Sequence, residues 1–203
     1  YSNGITIDYK KFGSGALNLN HASNSYITTP TTSDFVFGTG DFTIDFWFYM
    51  TQVNMTGQAN TFVTNISGNT GFTFSMVKYT DRGWELAIGT TLYTSGVLNP
   101  PLNQWVHCAV VRSSGTLKYY LNGSSIYSAS CPTDIVSSTA AFMVGYPTNF
   151  SPYSYIDELR ISKGIARWTS NFTPPTAPYG QIILPPKKNI IHPSLLSTSI
   201  AQK

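Results

Sequence analysis

Short runs in which apolar and polar residues alternate recur along almost the whole chain, and a period of two suits an extended backbone rather than a helix. In DFTIDFWFYM (41–50), Phe42, Ile44, Phe46 and Phe48 share one face, while Thr43, Asp45, Trp47 and Tyr49 share the other. The first face belongs to a core and the second is amphipathic. The pattern repeats in 15–20, 24–29, 61–66, 71–79, 83–89, 104–112, 116–122, 124–130, 140–146 and 154–162, with Gly, Asn, Asp and Pro between the segments. Such regular spacing predicts an all-β fold, a two-sheet antiparallel jelly-roll sandwich. Glutamate occurs only twice, so the chain is also short of residues that favour helix.

At 203 residues the chain suits one large sandwich domain, assigned to residues 1–172 with its strands from about residue 5, and a tail over 173–203. The tail is dense in proline, with apolar clusters at Ile182–Leu184, Ile190–Ile191 and Leu195–Leu196. Prolines at that density break ladders and helices, so the tail is expected to run as an extended arm over its own sandwich or a neighbour's. Charged residues make up only 10% and the net charge is +3, spread thinly as Lys10-Lys11, Lys187-Lys188 and single residues. Without a dense basic stripe, nucleic acid is not an expected partner. No window reaches 18 consecutive apolar residues, so no membrane span is expected. The chain begins at Tyr1 with neither Met nor a leader, which reads as processing or as a piece of something longer.

The two cysteines read as free thiols. WVHCAVVRSSGTLKYYLNGSSIYSASC folds on paper as a three-strand meander, with turns at Ser113–Gly115 and Asn122-Gly123. That count sets Cys108 level with Tyr120 and Ser125 and leaves Cys131 about 20 Å along the third strand, beyond the roughly 7 Å that a disulfide spans. Five Asn-x-Ser/Thr sites, at Asn54, Asn65, Asn122, Asn149 and Asn171, are what chance gives in a chain so rich in these residues.

Chemistry-bearing residues are sparse. Asp157 and Glu158 in YIDELRIS are consecutive on a predicted strand, so they are expected to point to opposite faces and not to act on one substrate. Glu85 stands alone in GWELAIG, and His21, His107 and His192 are dispersed, which leaves no nucleophile–base grouping. The expectation is a protein without catalysis. For glycan binding, aromatic rings must stack on sugar faces beside polar side chains that read hydroxyls. Tyr146, Asn149, Phe150, Tyr153 and Tyr155 in GYPTNFSPYSY, with Tyr79, Asp81, Arg82 and Trp84 in KYTDRGW, are the candidates, against the plainer reading that these rings cover the ends of the core.

Four phrases in order, KKFGSGALNLN, FGTGDFTIDFWFYM, QWVHCAVVR with GTLKYYLNGSSI, and YIDELRISKGIARWTSNFTPPTAPY, resemble the laminin G-like jelly-roll domains of the concanavalin A-like lectin/glucanase superfamily. The resemblance covers about Lys10 to Tyr179, and its closing phrase is similar to versions in phage, other virus structural proteins and bacterial surface proteins. It implies a jelly roll, whereas function varies among members that bind sugars, bind proteins, hydrolyse glycans or build structure. The acidic Glu-x-Asp-x-x-Glu strand of the glucanase members is absent. Jelly-roll relatives often carry a structural calcium, and Asp157 with Asp8 is the pair implied, against acceptance by Asp157 of backbone amides from an adjacent turn. The expected function is a non-catalytic structural or display module of a virion (a phage decoration, fibre or capsid-associated protein) or of a cell surface. It contacts neighbouring subunits or other surface proteins through the tail and has loops able to bind host glycans. The alternative is a lectin-like carbohydrate-binding domain of a secreted enzyme or adhesin. Either places the protein on a virion surface or outside the cell.

Overall fold

The computed structural model describes residues 4–21, 25–53, 59–77, 82–96, 98–136, 140–148 and 150–180. Among them thirteen strands form two antiparallel sheets with a single short 3-10 turn, so the all-β sandwich stands. The seven-stranded sheet runs β1 (Gly4–Thr6), β2 (Ala16–Asn20), β13 (Tyr153–Lys163), β4 (Phe42–Gln52), β9 (Trp105–Ser113), β10 (Thr116–Leu121), β11 (Ser124–Ser130). The six-stranded sheet runs β3 (Ser25–Thr28), β12 (Met143–Tyr146), β5 (Ala59–Thr64), β6 (Phe72–Val77), β7 (Gly83–Ile88), β8 (Thr91–Thr94). Eleven of these coincide with the alternating runs. The two not anticipated, β1 and β8, are short edge strands of three and four residues, too brief for a period to show.

Alternation decides which side chains face inward. Phe42, Ile44, Phe46, Phe48 and Met50 of β4 are all buried and meet Phe62, Phe72, Phe74 and Trp84 from the opposing sheet. The rings pack in tilted and stacked pairs, such as Phe46 with Phe62 at 5.2 Å and Phe62 with Trp84 at 5.8 Å, which adds directional attraction to area burial. At the rim, the fully buried Arg112 has no carboxylate partner among the described residues and donates instead to the carbonyls of Gly38, Gly40 and Thr133. That ties the turn before β4 to the segment after β11, and no sequence motif announced it.

The meander over β9–β11 forms with both turns, but its register is one residue off the count. Ser114-Gly115 is a two-residue turn with both residues at positive φ, so Cys108 pairs with Leu121 and not with Tyr120. Both cysteines are nonetheless buried and free.

The second face of β4 is not left amphipathic and open. Thr43, Asp45 and Trp47 are buried, because two segments form an outer layer over the seven-stranded sheet. Lys11 and Phe12 lie on Trp47, the Lys11 ammonium at 4.0 Å from its ring. After β13 the chain turns back as a strap, residues 165–180. Thr43 Oγ1 donates to Ile165 O and accepts from Arg167 N, while Trp168 stacks on Phe172 at 4.0 Å above Ala109, Val111 and Tyr120. Phe172 N donates to Gly123 O; a Cβ on Gly123 would lie 1.8 Å from the Phe172 carbonyl, so this hairpin needs glycine for its positive φ and for the strap's approach. Trp168 thus covers a sheet face of the sandwich. Residues 173–180 of the expected tail lie in this layer, and 181–203 are outside the described residues.

Phe46→Ala should lower the unfolding free energy by about 3–5 kcal/mol in denaturant titration, as for other buried rings. Trp168→Ala should leave the two sheets folded but loosen the strap, read as faster tryptic cleavage after the exposed Arg167; unchanged cleavage would mean the strap is held without its indole.

Candidate functional site

The outer face of the seven-stranded sheet falls into three zones along the strands. In the first the strap covers Thr43, Asp45 and Ala109, and in the second Lys11 and Phe12 cover Trp47. The third is open. There Asn18, Tyr155, Tyr49 and Trp105 stand side by side on β2, β13, β4 and β9, each registered against the next and each half-buried. With strands spaced at the usual 4.8 Å, the row is about 14 Å across. Tyr9, from the segment after β1, lies flat on Tyr155 at 4.4 Å and leans on Tyr49 at 5.5 Å. Trp105 meets Tyr49 edge-on at 5.7 Å. Two cavities that share Asn18 and Tyr155 flank the row, one of about 460 Å³ against residues 4–9 and one of about 320 Å³ bordered by Asn20, Thr51 and Tyr153. Burial, then Tyr9 and Asp8 nearby, push the Tyr155 phenol up, so its hydroxyl remains a donor at neutral pH. Ring faces beside amide and hydroxyl groups are the chemistry that an oligosaccharide requires.

Of the residues named from sequence, Tyr155 stands in this row and Tyr153 borders one flanking cavity, while the others do not form the site. Trp84 is fully buried between Phe48, Phe62 and Phe74, so it is a core residue and offers no platform; alternation in GWELAIG already set it on the face opposite Glu85. Arg82 is bound through two nitrogens to Glu85, at 2.6 Å each, so that glutamate does not stand alone. Tyr146 and Phe150 pack edge-on at 5.7 Å at the end of the six-stranded sheet, where Ser151 bridges Tyr146 and Ser25. Tyr153 belongs to the other sheet and stacks on His21 at 4.6 Å, so GYPTNFSPYSY is divided between two walls. Asn149, Tyr79 and Asp81 lie outside the described residues. Tyr9, Asn18, Tyr49 and Trp105 were missed because the row exists only across strands distant in sequence.

The two adjacent carboxylates are also placed differently. β13 carries a bulge between Asp157 and Arg160, with Glu158 in the left-handed region at φ 52°, so one extra residue interrupts the alternation. Both side chains reach the outer layer and not opposite faces. Asp157 Oδ2 accepts Lys11 N at 2.8 Å and Phe12 N at 3.0 Å, and Oδ1 accepts Glu158 N at 2.8 Å. Glu158 accepts the amide of Tyr179. Each carboxylate therefore anchors a different covering segment. With three amide donors on its oxygens, Asp157 does not fit a bidentate calcium ligand; Asp8 is exposed, and no group of three or more His, Cys, Asp or Glu among the described residues could hold a metal ion.

Beneath the strap lies a fully buried charge. Asp45 is fully buried and accepts Arg160 through Nε at 3.0 Å and Nη2 at 2.9 Å, together with the hydroxyl of Tyr179, whose oxygen lies 3.1 Å from His107 Nε2. Burial alone raises the carboxyl pKa, but hydrogen bonds from His107, Arg160 and Tyr179 outweigh it and hold it below 3.8. Burial and the adjacent Asp45 charge push the Tyr179 phenol far up, so it stays a donor. His107 Nδ1 has no partner among the described residues. The histidine is a buried structural group bonded on one side only.

Solved structures agree on the fold. The binding domain of Paraclostridial mosquitocidal protein 1 superposes with a TM-score of 0.62 at 19% identity, over 79% of this chain and 42% of that one. Domain 4 of AbnA, an extracellular GH43 arabinanase from Geobacillus stearothermophilus in complex with arabinotriose, gives 0.62 at 23% identity, over 82% and 77%. The receptor-binding domain of botulinum neurotoxin type G gives 0.55 at 17% identity, over 85% and 44%. The chain spans less than half the length of both toxin chains. No curated protein sequence matches significantly. The family model described as the concanavalin A-like lectin/glucanases superfamily matches residues 21–167.

Asp45 gives a test in acid. Its folded-state pKa lies below the unfolded value, so its contribution to stability is complete above about pH 5 and is lost as pH falls through the folded value, below 3.8. Asp45→Asn should reduce stability at neutral pH and flatten that acid limb in thermal melts from pH 2 to 7. Added calcium or a chelator should leave the melting temperature of the wild-type protein unchanged; a rise with calcium would restore Asp157 as a metal ligand.

Proposed function

The chain belongs to the concanavalin A-like lectin/glucanase superfamily, and from that fold and the open aromatic row we propose a non-catalytic module that binds glycans on the outer face of its seven-stranded sheet. The observation that carries this is the registered row Asn18–Tyr155–Tyr49–Trp105, with the half-exposed Tyr9 stacked on it, on a face whose other two zones are covered by the strap and by Lys11 and Phe12. Open aromatic surface is costly to leave in water unless something uses it. Domain 4 of the arabinanase, similar in fold, is seen with arabinotriose, which supports a saccharide as occupant. A binding role is also in keeping with the engaged carboxylates: among the described residues, Asp45, Asp157 and Glu158 are occupied by donors from the chain itself and are not free to serve as the acid pair that glycoside hydrolysis uses.

The finer reading puts this module on a virion or cell surface, as a display or attachment subunit. The similarity of SKGIARWTSNFTPPTAP to viral structural proteins supports it, as do the exposed Ile5 and Ile7 beside the row, which suit a contact with neighbouring protein.

A glycan array with the wild-type protein should give signal that Tyr155→Ala and Trp105→Ala each reduce by about five- to tenfold, one stacked ring contributing on the order of 1–1.5 kcal/mol. Tyr146→Ala should leave it intact. No signal from wild type, or signal indifferent to both row variants, overturns the binding site. Release of reducing sugar from a bound glycan would overturn the non-catalytic assignment. If removal of residues 181–203 leaves the oligomeric state by light scattering unchanged, the tail is not an assembly arm.

A further inference from the structure

A second cavity, of about 670 Å³, opens between the strap and the outer side of β13, away from the aromatic row. Its lining includes Arg160, Arg167, Trp168, Pro175, Thr176 and Tyr179, and no carboxylate. Both guanidiniums are held in place from behind. Arg160 uses Nε and Nη2 on Asp45 and lies 3.9 Å from the Tyr179 ring, so its Nη1 is fixed and has no hydrogen-bond partner among the described residues. Arg167 donates its backbone N–H to Thr43 Oγ1 at 3.0 Å and its Nε–H to Ser162 Oγ at 2.7 Å. The two terminal nitrogens of Arg167 have no hydrogen-bond or ion-pair partner among the described residues.

Preorganised guanidinium forks match a planar carboxylate, and fixing them in advance lowers the entropy lost on binding. The lining itself presents one cation without a carboxylate partner. Asp45 answers Arg160, and Glu158 is taken up by the Tyr179 amide outside the lining, so Arg167 is the cation left open to the cavity. The walls decide the rest of the ligand. Trp168, Tyr179 and Pro175 offer flat apolar surfaces, and Thr176 a hydroxyl, which suits a compact ring bearing hydroxyl groups better than a bare ion.

We propose that this groove is a binding site for the carboxylate of an acidic monosaccharide unit, a hexuronate, held by Arg167 and Nη1 of Arg160 against the Trp168 and Tyr179 rings. The site is separate from the aromatic row and does not depend on it.

The test titrates the full chain with glucuronate, glucose and inorganic sulfate, following the Trp168 indole resonance by NMR. Glucuronate should shift it saturably, glucose should not at equal concentration, and sulfate should bind more weakly than glucuronate. Arg167→Gln, at an exposed position that leaves the Asp45 network untouched, should weaken glucuronate binding about tenfold or more, the loss expected for a charge-assisted pair. Tyr155→Ala should leave it unchanged, which separates this groove from the row. The proposal fails if glucuronate does not shift the indole, if glucose or sulfate binds as tightly, or if Arg167→Gln binds as wild type does.

Discussion

A carboxylate at the middle of a sheet face, cut off from water, must be met by donors, and Asp45 obliges distant parts of the chain to meet it. β13 supplies Arg160, β9 supplies His107, and the strap supplies Tyr179. Removing one partner of such a buried group typically costs about 3–5 kcal/mol. The outer layer therefore docks in one place, with Tyr179 over Asp45 and the Trp168–Phe172 stack over Tyr120.

That layer in turn shapes the binding surface. The same strands, β13, β4 and β9, run from under the strap to the open end, so their outward residues change role along one face: Thr43 and Asp45 anchor covering segments, Trp47 seats Lys11, and Tyr49 joins the row. The bulge at Glu158 sits at the change. One extra residue lets Asp157 hold the N-terminal segment and Glu158 the strap, while Ile156 and Ile161 still pack on the core. A residue held at positive φ costs about 1–2 kcal/mol, and two anchored segments offset it.

The inward face could be read in advance because a period of two maps onto burial wherever the backbone stays regular. Phe42, Ile44, Phe46 and Phe48 needed no more than that. Two of the failures share one cause, a break in regularity that spacing does not mark: the two-residue turn at Ser114-Gly115 that moved Cys108 one place, and the bulge that set Asp157 and Glu158 on one side. Trp84 is a different lesson. Its loop composition suggested a sugar platform, but its own strand had already assigned it to the core.

The sequence by itself determined the fold class, most of the strands, the inner core and the membership in a superfamily of sandwiches, since each of these is written in local alternation and turn chemistry. Only the tertiary structure decided what the outer face is. A row such as Asn18–Tyr155–Tyr49–Trp105 exists through hydrogen-bonded register between strands far apart in the chain, and the groove at Arg160 and Arg167 exists because the strap returns over its own sheet. Local propensity carries no record of such pairings, because the energy that selects them comes from burying Asp45 and the strap's rings together in one folded molecule.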